Sequence, residues 1–131
     1  MSPSSSSDSP APWAYLPGEV WWVSFDPAVG PEVIKTRPAV VVSVPFVAAL
    51  DLRVAVPILT RKDTHGGYPW LVPIAPTAAN GLDRLGSADT SQLKSLSRRD
   101  RFKTPLGRLS PEDLTEVYAG IRLCLGLTDN G

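Results

Sequence analysis

Glu19-Val20-Trp21-Trp22-Val23-Ser24-Phe25, and then Ala39-Val40-Val41-Val42-Ser43-Val44 behind Pro38, carry the strongest strand signals in the chain. The first is dense in aromatic and β-branched residues, which fit a pleated, half-buried surface, and it reads as a strand. Trp21 and Trp22 are adjacent in it and so point to opposite faces. One of them belongs to the core, and the other to the outer face of the sheet or to an interface. The second stretch is almost wholly apolar, as expected of a central strand covered on both faces. Asp26-Pro27 and Gly30-Pro31 punctuate the loop between the two.

Working outward, Arg53–Leu59 and Pro69–Ala75 supply a third and a fourth strand on either side of a polar turn, Thr60–Gly67. Thr77–Asp89 reads as loop, with Asn80-Gly81 as its turn signal. Gln92–Ser97 alternates and adds another strand. Ser110-Pro111-Glu112-Asp113 then sets an N-cap, a proline at the first helical position and acids in the first turn. Leu114, Val117, Tyr118, Ile121, Cys124 and Leu125 follow at helical spacing, and Gly126 is the stop. The expected architecture is mainly β, a small barrel of five to seven short strands closed by a C-terminal helix. The Ser/Pro-rich segment 1–16 is expected to be a disordered tail and 17–131 the one folded domain.

Composition narrows the classes of function. A chain of 131 residues with 43% apolar content builds one modest core. It has no apolar run of the roughly 20 residues that span a bilayer. The N-terminal segment lacks the charge and apolar stretch of a secretory signal, and the lone Cys124 excludes a disulfide framework. A reducing, cytoplasmic setting is the expectation. Net charge is zero, so a polyanion would be held by a local patch rather than by the whole surface.

Conventional catalytic equipment is scarce. His65 is the only histidine, which removes a two-histidine ribonuclease mechanism and any His/Cys metal site. Gly-rich phosphate loops and a Gly-x-Ser-x-Gly elbow are absent from the chain. What stands out is Glu32, Lys35 and Arg37, between Gly30 and the apolar strand. RNA carries its own nucleophile, the 2′-hydroxyl, so a protein need only align the backbone and stabilise charge on the phosphoryl oxygens. Arg37 suits the second task, because a planar guanidinium grips two oxygens, and Glu32 suits acceptance of the hydroxyl proton. A solvated charged loop is the plainer reading of the same residues. Arg61-Lys62 forms a second basic pair, and Arg98–Lys103 a third patch built around Phe102. A basic stretch beside a ring suits single-stranded RNA, or is simply a solubilising loop. Tyr68 or Trp70 offers a stacking face, although a strand tryptophan more often belongs to the core.

Taken together, these motifs resemble the MazF/PemK toxin family over roughly Pro17–Leu127. Gly18-Glu19-Val20-Trp21-Trp22-Val23-Ser24-Phe25-Asp26-Pro27 is similar to its opening strand. Gly30-Pro31-Glu32 with Thr36-Arg37-Pro38-Ala39-Val40-Val41 is similar to its G-x-E-x-x-x-x-R-P-A-V-V run. Val56-Pro57-Ile58, Gly67-Tyr68-Pro69-Trp70, Ser91-Gln92-Leu93-Lys94-Ser95-Leu96 and Gly107–Leu114 follow in the family's order. The resemblance implies a homodimer of SH3-like barrels that cleaves single-stranded RNA at short sequences without metal or other cofactor. The implied products are a 2′,3′-cyclic phosphate (or 3′-phosphate) and a 5′-hydroxyl. It also implies an antitoxin whose acidic, disordered tail occupies the RNA groove. By position, Arg37, Glu32 and Thr60 become the catalytic set, with Lys35, Arg61, Lys62, Tyr68, Trp70 and Gln92 contacting RNA. Two substitutions mark the loop, where Val33 and Lys35 replace the family's Gln and Gly. The family's threonine directly follows V-P-[IC]; Leu59 stands there in this chain and Thr60 comes next. A bulge at Pro57 would bring Thr60 into the site. A non-catalytic binding module on the same fold, such as a topoisomerase poison, is the alternative.

Overall fold

The computed structural model describes residues 13–27, 29–32, 35–44 and 51–127. Seven strands form one antiparallel sheet: β1 (Glu19–Ser24), β2 (Thr36–Val41), β3 (Leu52–Thr60), β4 (Leu71–Ile74), β5 (Gly86–Asp89), β6 (Lys94–Ser97) and β7 (Phe102–Arg108). The order is β4-β5-β3-β2-β1-β7, with β6 also pairing β3. β3 holds the sheet together. One edge pairs β2, while the other pairs β6 through Leu52–Ala55 and then β5 through Ile58–Thr60. Such a hand-over bends the sheet toward the barrel-like shape expected, although the strands do not close into a ring.

β2 is covered on both faces, as its composition requires. Val40 joins Val20, Val56, Ile58, Ile74 and Val117 in a core between the sheet and the C-terminal helix α1 (Pro111–Leu125). Ala39 and Val41 face the other way, joining Trp21, Val23, Phe25, Leu96 and Phe102. The strand starts and ends earlier than its apolar run. Thr36 and Arg37 pair Ser24 and Val23, whereas Val42 is core without being strand and Val44 is exposed. Trp21 is buried and Trp22 exposed, the expected division. α1 begins where its cap signals place it: Ser110 Oγ accepts the Asp113 N–H (3.1 Å), and Gly126 ends the helix at φ +71°. Among the described residues no helix is long and apolar enough to cross a membrane.

Three readings need correction. Gly86–Asp89 is a strand rather than loop, sandwiched between β3 and β4 and wholly buried. Arg98–Lys103 is open only in part, with Arg99 and Lys103 exposed. Arg98–Arg101 is one helical turn, Phe102 is buried in the second core, and Arg98 pairs with Asp51 at 3.3 Å. The folded part also begins before residue 17. Tyr15 stacks on Trp21 with ring centroids 4.5 Å apart, and Trp13 packs edge-on to the same indole. Buried Glu19 holds this segment. Its carboxylate accepts the Ala14 and Tyr15 N–H groups (3.1 and 3.0 Å) and the Trp21 indole N–H (2.8 Å). Residues 1–12 of the expected tail lie outside the described residues.

Glu19→Ala leaves those three donors without their acceptor, and each unsatisfied buried donor costs about 1–3 kcal/mol. Some regain water, so a loss of about 3 kcal/mol in urea denaturation is expected, with red-shifted tryptophan emission. An unchanged midpoint and spectrum would contradict this anchoring.

Candidate active site

Arg37 is the second residue of β2, paired across to Val23. It is half-buried, and its Nε is enclosed with no hydrogen-bond partner among the described residues. A charged donor out of water without an acceptor is unfavourable, and such groups in native folds call for an explanation. The guanidinium lines a cavity of about 390 Å³. Thr60 from the end of β3 lines it too, as do Trp22, Thr36, Asp83 and Arg84. The space is within the range of small-ligand sites. It brings together Arg37 and Thr60, two of the three expected catalytic residues.

Glu32 lies elsewhere. It lines a second, smaller cavity of about 220 Å³ with Phe25, Gln92 and Lys94. Its Oε1 accepts the Val29 N–H at 2.8 Å and lies 3.9 Å from Lys94 Nζ. Gln92 donates through Nε2 to Asp89 at 3.1 Å. The loop thus sends its acid and its arginine to different concavities, which their closeness in sequence did not foretell.

The paired residues of β3 show no bulge on either side of Pro57. The β2 ladder runs regularly to Ala39↔Pro57 and the β5 ladder starts at Ile58↔Ala88, with no extra residue in either. The paired residues of β2 and β3 end at Ala39↔Pro57; continued two positions, that register sets Arg37 opposite Leu59, and one more sets Thr36 opposite Thr60. Both Leu59 and Thr60 reach the cavity because they stand at its rim, Leu59 half-buried and Thr60 exposed.

The remaining expected contacts divide by use. Arg61 is built into the fold: its Nη1 donates to the Leu71 carbonyl (3.2 Å) and to Ser87 Oγ (3.1 Å), tying the end of β3 to β4 and β5. His65 Nδ1 lies 2.8 Å from the same Ser87 oxygen and docks the turn that follows. Lys62 and Tyr68 are exposed on that connection, and Trp70 is half-buried against Tyr68, with ring centroids 5.1 Å apart. Lys35 is exposed with φ +70°, and its N–H donates to Asp26 Oδ1 at 2.8 Å. A left-handed backbone is where glycine fits best, a physical reason for glycine at this place in the family. Sequence reading missed Trp22, Thr36, Asp83 and Arg84. The outward tryptophan of the Trp21–Trp22 pair was the one available signal.

The family of PemK-like, MazF-like toxins of type II toxin–antitoxin systems matches residues 16–125. This chain belongs to that family. The endoribonuclease toxin MazF of Escherichia coli K12 is 36% identical over 116 residues, covering 86% of this chain and 96% of that protein. Among solved structures, MazF of Deinococcus radiodurans superposes with a TM-score of 0.72 at 28% identity, over 85% of this chain and 96% of that one. A MazE–MazF structure from the same organism gives 0.69 at 26% identity, over 89% and 100% of the two chains. The two solved structures share the fold of this chain over most of its length.

Lys35→Gly removes the left-handed strain of a side-chain-bearing residue, about 1–2 kcal/mol, against about 0.5–1 kcal/mol for glycine's greater unfolded freedom. A net gain of about 0.5–1 kcal/mol in urea denaturation is expected. A lowered midpoint would contradict the left-handed geometry at this position.

Proposed function

We propose that this chain is a toxin endoribonuclease that cuts single-stranded RNA at short sequences by attack of the 2′-hydroxyl, without a metal ion. The reaction leaves a 2′,3′-cyclic phosphate (or, after its opening, a 3′-phosphate) and a 5′-hydroxyl. The cleavage step balances with no outside reactant, because the 2′-hydroxyl gives up one proton and the departing 5′-oxygen takes one; opening of the cyclic phosphate consumes one water. The observation that carries the reading is the enclosed, acceptor-less Nε of Arg37 at a cavity it shares with Thr60. A phosphoryl oxygen entering that cavity would give the Arg37 guanidinium an anionic partner. A donor fixed in advance stabilises the charge that grows there in the transition state without reorganising. Thr60 Oγ1 is assigned a second donor role on the same phosphate. Endoribonuclease names among the relatives support this class of reaction.

Glu32, Gln92 and Lys94 are assigned to a neighbouring nucleotide in the second cavity. Lys35 and Lys62 are placed against backbone phosphates, and Tyr68 and Trp70 against a base. Arg61 acts indirectly by holding that connection in place. The partner implied by the MazE–MazF relative is a cognate antitoxin, and an acidic disordered tail fits a groove built for RNA. We assign the working form to a homodimer in the cytoplasm, with the exposed Trp22 and the Leu123 and Leu125 end of α1 as spare apolar surface.

The test is cleavage of a long single-stranded RNA in EDTA, with end-group analysis of the fragments. Wild type is expected to yield discrete fragments bearing 5′-hydroxyl ends. Arg37→Ala is expected to slow cleavage by about 100-fold or more, the loss typical of one fixed charge-stabilising donor, with native circular dichroism. Glu32→Gln, acting from the second cavity, is expected to cost under about ten-fold. Near-normal turnover by Arg37→Ala would overturn the assignment.

Thr60→Ala and Leu59→Ala separate the two residues at the rim. The first is expected to slow cleavage by about ten-fold at unchanged stability, as for a removed hydrogen-bond donor. The second removes a half-buried side chain and is expected to cost about 1–2 kcal/mol of stability, less than a fully buried leucine. The reverse pattern would show that Leu59, on the face of Arg37, holds the threonine's place.

A further inference from the structure

The outer wall of the Arg37 cavity is a surface turn built with unusual firmness. Asn80 is buried, and its side-chain oxygen accepts the N–H groups of Thr77 and Leu82, both at 3.0 Å. Its amide donates to the Ala75 carbonyl (2.8 Å), and its own N–H donates to Thr77 Oγ1 (3.0 Å). Gly81 follows at φ +72°, where a Cβ would run into the Leu106 carbonyl oxygen. The Arg108 N–H donates to the Ala79 carbonyl at 2.7 Å and fastens the turn to β7. Beyond Leu82, the exposed Asp83 and Arg84 line the cavity that holds Arg37. Groups on a rigid turn at a substrate cavity are in the usual position of specificity determinants.

We infer that Asp83 reads the edge of a base beside the scissile phosphate, and that it favours an amino-bearing base, cytosine over uracil. This rests on the ribonuclease reading and goes beyond it by naming the residue that chooses the base. An ionised carboxylate only accepts hydrogen bonds. Cytosine presents an N4 amino group to it, as in the Asp–cytosine pairing of direct readout. Uracil has the same ring with a carbonyl at that place, and acceptor would face acceptor.

Arg84 is the positioning residue. Its Nε donates to Asp83 Oδ1 at 3.1 Å and its Nη2 lies 3.5 Å from Oδ2, so the fork turns onto the carboxylate. Each carboxylate oxygen has a second lone pair, which leaves acceptor capacity on an exposed side chain that lines the cavity. The Arg84 hydrogen bond and charge hold the Asp83 carboxyl below the usual carboxylate range. That makes Asp83 a poor general base and a constant acceptor, the chemistry of reading rather than of proton transfer.

The test is competitive cleavage of an RNA pool carrying every base at the positions flanking the cut, read by sequencing the 5′-hydroxyl ends. Wild type is expected to favour cytosine over uracil at one flanking position by about ten-fold, the size of one base-edge contact. Asp83→Asn, an exposed change whose amide both donates and accepts, is expected to bring that ratio within about two-fold and leave other positions as they were. A wild type that favours uracil or neither base at every position overturns the inference and leaves the nuclease standing. So does an Asp83→Asn pattern identical to wild type. RNA left uncut by the wild type overturns the nuclease reading, and this inference with it.

Discussion

Burial of β2 on both faces is the constraint on which the rest depends. Val40 and Val41 belong to different cores, so the strand can neither rotate nor slide by one residue without exposing one set and crowding the other. Its register with β1 and β3 is therefore rigid. The residues that precede the apolar run inherit that rigidity, and Arg37 is paired to Val23 before the burial begins. A flexible loop arginine would turn its guanidinium to water. This one is held with Nε under cover and without a partner. An anion bound beside it would offset that desolvation, which is the basis of the role proposed for Arg37.

Charge works locally in this molecule. With no net charge, long-range attraction of a polyanion is weak, and the cation that counts is one the fold has partly removed from solvent, where interactions are stronger. Three of the other arginines serve the scaffold. Arg61 clamps three strands, Arg98 answers Asp51 and lies over the Tyr15 ring, and Arg108 lies 4.0 Å from the Trp13 ring centre. Counting arginines in the sequence overstates the nucleic-acid surface, because a guanidinium inside a hydrogen-bond network cannot also be a free phosphate contact.

The features legible in the sequence are those whose signal is local. β1, the two-sided burial of β2 and both ends of α1 were readable because aromatic density, apolar runs and caps act within a few residues. β5 was not, since Gly86-Ser87-Ala88-Asp89 has no strand-forming composition. It is extended because β3 and β4 offer ladders on both sides, and its smallness is demanded by Ile58, whose Cγ2 lies 2.6 Å from where a Cβ on Gly86 would stand. β7 was hidden by Pro105 and Gly107, which its irregular pairing with β1 accommodates. The same limit applies to the site. Arg37 could be found from its neighbours in sequence, whereas Asp83 joins it only through the contact of a turn with β7. Glu32 shows the converse, since five positions along the chain did not keep it in the same cavity as Arg37.

The most direct test of this account observes the Arg37 guanidinium itself. An RNA oligonucleotide with a 2′-deoxy sugar at the cut site binds without reacting, so ¹⁵N-labelled protein can be followed by NMR through its arginine Nε–H signals. The Arg37 Nε–H resonance is expected to shift downfield as the oligonucleotide saturates the protein. Saturation with that signal unmoved would show that the phosphate lies elsewhere, and would contradict the claim that this buried edge awaits it.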